Sequence, residues 1–469
     1  MRRRLGFVAV LALAALVATW WWRSRPRSAT ESAPNVLLIA VDTLRADRLG
    51  SLGNARGLTP NLDRLAANGA LYSRAYSHAP WTLPSFASMF TSQVPQEHGA
   101  GGRVGDFRGL AAAHDTLAER FQSAGYATGA IVNVDFLGRS YGLMQGFDAG
   151  EIDERFYDDN ARLRDARETT DAALGYLDRH RDEAFLLLAH YFDPHARYAP
   201  PPEYRARFAD PRDQQGSAFD FGAREQVVLW RARKLQPSVD DFQRAEKLYD
   251  AEVAYTDAEI GRLLAGLEAR GLARKTLVVL VADHGEEFLD HGDWEHGHSL
   301  YDELLHVPLV FSQPGRLAPT RVDVPVGTID LAPTLCAWCG VAPAATFRGR
   351  DLGPSLAGAS LSPTPLLAFG NFWGPPLESV REPEWKLIES TMSAGRTLQL
   401  FRADEDPREL RDRANSDVDA RDRLSSDLAL LRRVLAARAR VGPPVRPTAD
   451  ERERLRGMGY VGGEDDDGR

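Results

Sequence analysis

The sequence predicts a layered α/β sandwich built on a central, mostly parallel sheet, with a smaller C-terminal α+β subdomain. Three observations carry this. Continuous apolar runs of strand length recur, several of them stopping at an acid or a histidine; stretches with helical spacing lie between them; and from about residue 365 the pattern turns to short strands and one charged helix. A strand buried on both faces is apolar at every position, so such runs indicate a sheet covered by helices on both sides.

Taken in chain order, Arg2, Arg3 and Arg4 precede the apolar LGFVAVLALAALVATWWW of residues 5–22, whose closing tryptophans suit a membrane interface. Residues 1–23 therefore read as a signal anchor or signal peptide, and the folded part is expected outside the cytoplasm, either membrane-anchored or secreted. SRPRSATESAP (24–34) is a polar linker. NVLLIAVD (35–42) opens the main domain, expected over 35–364. TPNLDRLAANG (59–69) has helical spacing, and APWTLPSFASMFTS (79–92) puts Pro84 in the first turn of a helix, just after Thr82. DTLAERFQSAG (115–125) is a further helix. ATGAIVN (127–133) and AFLLLAHYFD (184–193) are strands, YDAEVAYTDAEIGRLLAGLEARG (249–271) is a long helix, and TLVVLVADHG (276–285) and HVPLVF (306–311) are strands. PLLAFGNFW, WKLIES and TLQLFR, with a charged helix near 417–438, form the expected subdomain at 365–463, and EDDDGR (464–469) is expected to be a disordered tail.

With 469 residues, 43% of them hydrophobic and 26% charged, the chain is large enough for a sizeable core. The formal charge of -9, with 57 Lys and Arg scattered rather than clustered, argues against a nucleic-acid partner. An anionic substrate would need a local positive centre. Cys336 and Cys339 form a C-x-x-C, but apolar neighbours at helical spacing make them a buried pair with no second redox motif.

In open α/β sheets ligands bind beyond the carboxyl ends of the strands. This gathers Asp42, Asp193 with His195, and Asp283 with His284. A hard divalent cation takes carboxylate oxygens, and a neutral imidazole completes its shell, so Asp42, Asp283 and His284 are candidate ligands. A lone aspartate after a strand is more often a turn or helix cap. The run Asp283-His284-Gly285-Glu286 adds to the metal reading, because Gly285 lets the backbone approach a ligand, and His291, His296 and His298 follow closely in a chain with 11 histidines. Thr82 has two readings: an ordering hydroxyl at the mouth of a helix, or a nucleophile. A helix N-terminus favours a developing anion, and a cation beside a hydroxyl eases its deprotonation.

Taken together, these stretches resemble the sulfatase family of the alkaline phosphatase superfamily over about residues 34–463. PNVLLIAVDTLRADRLG is similar to the family's first metal-binding strand, TPNLDRLAANGALYSRAYS to the helix that follows, and TLPSFASMFTSQVPQEHG to the nucleophile segment. HYFDPHARYAPP is similar to a substrate-facing segment, DHGEEF to the second metal-binding strand, and HGHSLYDELLHVPLVF to the segment that closes the site. TIDLAPTL, RADEDPREL and LRGMGYV resemble later landmarks. The resemblance implies an alkaline-phosphatase-like sandwich and one divalent metal ion held by Asp42, Asp283, His284 and Thr82. Oxygen ligands favour Ca or Mg, and His284 keeps Mn and Zn open. The same resemblance makes Thr82 the nucleophile, has His195 and His296 face the anionic group or protonate the leaving oxygen, and adds His298 and Asn133 as substrate-binding positions.

The departures from the family pattern are specific. Many members carry Cys-x-Pro-x-Arg or Ser-x-Pro-x-Arg, with the first residue oxidised to formylglycine; this chain has Thr82-Leu83-Pro84-Ser85-Phe86. The branched Cβ of threonine cannot become an aldehyde, so the aldehyde-hydrate route is closed. Val132-Asn133-Val134-Asp135 stands where many sulfatases have Gly-Lys-x-His, and Thr43 stands in place of a second acid after Asp42. The implied function is metal-dependent hydrolysis of a sulfate or phosphate ester, carried by a glycan, a lipid or a small molecule, with an unmodified threonine nucleophile. The alternatives are a phosphodiesterase or phospho-group transferase, and a sulfatase-like protein that has lost catalysis and binds an anionic glycan or lipid. A membrane, through the N-terminal helix, is the other expected partner.

Overall fold

The computed structural model describes residues 33–103, 105–156, 164–208, 226, 229–230, 234–392 and 395–457. The expected anchor at 1–23, the linker up to residue 32 and the tail at 464–469 lie outside the described residues. Among the described residues no helix is long and apolar enough to cross a membrane.

Among the described residues, nine strands form the central sheet: β1 Asn35–Val41, β2 Ala70–Tyr76, β3 Ala127–Val132, β4 Ile152–Glu154, β5 Phe185–Tyr191, β6 Thr276–Ala282, β7 His306–Ser312, β8 Thr320–Val322 and β9 Val326–Gly327. Their order is β8-β2-β7-β6-β1-β5-β3-β4, with β9 also pairing to β2. β1 lies parallel between β5 and β6, whereas β7 is antiparallel to both β6 and β2. The sheet is therefore mostly parallel, as expected. β2 was not expected: ALYSRAY contains no β-branched residue, and its place is set by pairing with β7.

β1 is buried along its whole length. Val36, Leu38 and Ala40 face one core and Leu37, Ile39 and Val41 the other, as a period of two requires. The first core is closed by α2 Thr82–Thr91, α3 Leu117–Ser123 and α6 Leu331–Cys339, the second by α1 Pro60–Ala67, α4 Ala166–Arg179 and α5 Val239–Ala269. Capping boxes start three of these helices, pairing Thr116 with Glu119, Asp165 with Glu168 and Ser238 with Asp241. The last begins α5 ten residues ahead of the expected 249, and Phe242 and Ala245 carry its apolar face forward. In α6 the two cysteines are free and buried, and burial pushes both thiols up to about 12, which suits packing rather than redox chemistry.

The C-terminal subdomain is a four-stranded antiparallel sheet, β10 Leu366–Phe369, β11 Leu377–Arg381, β12 Trp385–Met392 and β13 Gly395–Arg402, in sequence order. Leu387 and Leu400 pack with Leu424 and Leu428 of α7 Val418–Ala436. At the carboxyl ends of the central strands stand Asp42 after β1, Asp283 and His284 after β6, and His195 after β5, facing the start of α2.

Candidate active site

Thr82 is the first residue of α2 rather than its cap. The cap position is Trp81, and no side chain caps this helix. Thr82 is fully buried, with Oγ1 3.4 Å from His284 Nε2. The helix start is tied to the strand end, since Ser85 donates its hydroxyl to the Asp283 carbonyl at 2.7 Å.

His284 Nδ1 lies 2.9 Å from the carbonyl of Gly285. A carbonyl only accepts, so Nδ1 carries a proton, and Nε2 is the atom whose lone pair the ring, when neutral, offers to a cation. That atom faces Asp283 Oδ2 at 3.3 Å and Asp42 Oδ1 at 3.5 Å. Asp283 divides its oxygens: Oδ1 accepts the backbone N–H groups of His284 (2.9 Å) and Thr43 (3.3 Å), and Oδ2 has no hydrogen-bond partner. Both oxygens of Asp42 are buried and also without one. Ligand atoms of Asp42, Asp283 and His284 all lie within 4.8 Å of one another. Burial raises Asp42 above the usual carboxylate range, and burial together with the charge of Asp42 raises Asp283 to about 7. Burial alone would lower His284, but the charges of Asp283 and Asp42 overcome it and raise the ring. Orphaned carboxylate oxygens and one imidazole lone pair, converging in a dry site, fit a divalent cation.

Thr43, where a second acid was missing, has φ 53°, an uncommon conformation for a β-branched residue. The turn is braced by Tyr249 of α5, whose hydroxyl donates to the Thr43 carbonyl (2.8 Å) and accepts the Arg45 N–H (3.1 Å). At Gly285 a Cβ would meet the Glu303 carbonyl at 1.9 Å, so glycine is required there for the close approach of the protein's own backbone.

His296 and His195 join the centre. Their rings are 4.9 Å apart, and His296 is 4.5 Å from His284. Glu286, fully buried, binds His296 Nδ1 at 2.8 Å and accepts the Tyr198 hydroxyl at 3.0 Å. His195 stacks on Phe192 at 4.4 Å and bonds through Nδ1 to the carbonyl of Ala196; burial lowers it to about 4, so it is neutral at pH 7. His298 lies apart, its Nε2 held at 2.7 Å by Glu287. Asn133 is also apart: it is fully buried and donates its amide to Thr169 Oγ1 and to the His190 carbonyl. His291 pairs with Glu303 and stacks on Tyr301.

Two groups at the centre were not among the expected residues. His190, inside β5, is fully buried with Nε2 3.3 Å from Asp42 Oδ2. Burial lowers it to about 4, so the contact is not an ion pair. Glu286 is the other. The available signals were a polar residue inside an apolar strand and an acid directly after Asp-His-Gly. One wall of the site comes from the C-terminal subdomain: the N–H groups of Phe372 and Trp373 both donate to the carbonyl of Gly297, at 2.5 and 2.8 Å, and Phe372 packs on Trp81 at 5.0 Å.

A family model described as Sulfatase matches residues 34–341. The chain is similar to human iduronate 2-sulfatase, 28% identical over 344 residues, and spans 62% of that relative's length with 62% of its own. It is 26% identical over 363 residues to the Δ4,5-hexuronate-2-O-sulfatase of Bacteroides thetaiotaomicron, covering 70% of this chain and 73% of that one. In fold it is similar to the phosphonate monoester hydrolase of Agrobacterium radiobacter, with TM-score 0.67, 23% identity and coverage of 88% and 100% of the two chains. It is similar also to BT4656 in complex with D-glucosamine-2-N,6-O-disulfate, with TM-score 0.71, 18% identity and coverage of 86% and 98%.

Proposed function

The chain belongs to the sulfatase family, and from that premise we propose that it is a divalent-metal-dependent hydrolase of sulfate or phosphate esters in which the unmodified Thr82 hydroxyl is the nucleophile. The observation that carries the reading is Thr82 Oγ1 at the first position of a helix, 3.4 Å from His284 Nε2 and not used as a cap. Asp42, Asp283 and His284, with Thr82, would hold the cation; Ca or Mg suits the oxygens, and the imidazole admits Mn or Zn. When bound, the ion supplies positive charge that polarises the ester oxygens and eases loss of the Thr82 proton.

The chain's own groups perform the rest. Thr82 Oγ1 gives up its proton to solvent and forms a bond to sulfur or phosphorus while the bond to the ester oxygen breaks; His296, held through Nδ1 by Glu286, delivers a proton to that oxygen, and the neutral His195 faces the anionic group. The N-terminus of α2 favours the anion that develops there. Water then attacks the threonine ester, releasing sulfate or phosphate and restoring the hydroxyl. Two sulfatases named for uronate 2-sulfates among the relatives support a sulfated sugar as one substrate class, beside lipids and small molecules. The segment 1–23 is read as placing this domain outside the cytoplasm, anchored or secreted.

A phosphodiesterase or phospho-group transferase is the second reading, favoured by the lost cations. Asn133 is committed to Thr169, and Asp135 is paired with Arg454. A panel of aryl sulfates, phosphate monoesters and diesters with added Ca, Mg, Mn and Zn separates the two. With the best ester, Thr82→Ala should lower kcat/KM by more than about 1000-fold with little change in Tm, and Thr82→Ser should retain turnover. Alanine activity within about tenfold of wild type, ~1.4 kcal/mol in barrier, would make Thr82 a structural residue. Binding without turnover of any ester would point to a sulfatase-like protein that only binds.

A further inference from the structure

We propose that His190 is a positioning residue of the metal centre: its ring carries Oδ2 of Asp42 through Nε2–H and leaves Oδ1 for the cation. This rests on the metal reading above and extends it to a residue outside the donor set. The argument begins with register. β5 runs parallel to β1 with His190 opposite Ala40, and side chains alternate along a strand. His190 therefore emerges on the same face as Ala40 and Asp42, one step behind Asp42 and away from the open end of the sheet. There it meets α2 edge-on, 5.5 Å from the ring of Phe86.

The imidazole is fully buried, and Nε2 lies 3.3 Å from Asp42 Oδ2. Neither ring nitrogen completes an aligned hydrogen bond, and neither does either oxygen of Asp42. Buried polar groups are seldom left unpaired, and at 3.3 Å Nε2 and Oδ2 are within hydrogen-bond distance of each other. On the other side of the carboxylate, Oδ1 faces His284 Nε2 at 3.5 Å. Asp42 thus stands between two imidazoles, one within the donor set and one behind it. The strand is pinned at this point by the Asn133 amide on the His190 carbonyl. Partners that orient a metal-ligating carboxylate in this way matter to metal affinity rather than only to folding.

The test is titration of Ca²⁺ and of Mn²⁺ by chelator competition, together with Tm of the metal-free protein. His190→Leu is expected to weaken binding by about 10- to 100-fold without lowering the metal-free Tm. His190→Gln, whose amide also donates, should recover part of the loss. Asp42→Asn is the control. If it weakens binding while His190→Leu stays within about twofold of wild type, the positioning role is overturned and the metal centre stands. If neither variant changes binding, the metal reading itself fails. A loss as large as that of Asp283→Asn would make His190 a direct ligand and would also overturn the proposal. Should the leucine variant not fold, His190→Phe and His190→Gln decide the question by the same titration.

Discussion

Asp283 shows how one side chain can be fixed and available at once. Oδ1 is held by two backbone N–H groups while Oδ2 faces Nε2 of His284. Asp283→Asn keeps the shape but removes the charge. It should lower metal retention and ester hydrolysis by at least about 100-fold, measured by metal analysis after gel filtration and by the ester assay. Full occupancy in a folded variant would remove Asp283 from the ligand set. At this scale the sequence was legible where chemistry interrupts a pattern: Asp42, Asp283 and His284 follow directly on strands that are apolar at every position after the first. It was less legible at His190, because a histidine within an apolar run reads as a core residue until its neighbour across the sheet is known.

At the scale of elements, the segment after β6 is clamped to the C-terminal subdomain through His291. Nδ1 donates to Glu303 at 2.7 Å and Nε2 to the carbonyl of Glu409 at 3.1 Å, so both nitrogens carry protons and the ring is a cation. Burial opposes this, but the bond to Glu303 prevails and raises His291 to about 9. A histidine raised above its unfolded value of about 6.5 contributes stability that is complete below that pH and lost as pH rises through the folded value. The part-exposed position reduces the effect to ~1–2 kcal/mol. Denaturant unfolding from pH 6.5 to 9.5 should show this loss in wild type and not in His291→Gln; equal slopes in the two would refute it. Among the elements, strands buried on both faces were recognised by their apolar runs. β2 and the first turns of α5 were missed because β2 owes its place to pairing with β7 and the start of α5 to the Ser238–Asp241 box.

At the scale of the molecule, both cores begin with β1, and Pro34 accepts a hydrogen bond from Tyr126 at 3.3 Å. Among the described residues, packing therefore begins at the end of the linker. Removing residues 1–30 should leave a soluble, folded and active protein, with Tm within a few degrees of the full chain, since the apolar segment at 5–22 ends before the polar linker. Recovery of only insoluble, misfolded protein would show that the N-terminal segment packs on the domain. The C-terminal subdomain, by contrast, is part of the site, because Phe372 and Trp373 seat on Gly297 between His296 and His298.

By itself the sequence determined the layered architecture, the strand ends that carry the acids, and the threonine at the mouth of α2. Each is a local statement about burial, period or type of side chain. Only the tertiary structure decided which of these groups meet. His296 and His298 are two residues apart, yet Glu286 draws the first toward His284 and His195 while Glu287 holds the second elsewhere. The physical reason is a turn of the backbone between them: Gly297 has φ 80°, a conformation glycine adopts freely, and each histidine is then held by a different glutamate. His190 reaches Asp42 only because two strands about 150 residues apart in the chain pair in one register. Such choices depend on pairing between distant segments, and no window of sequence contains both partners.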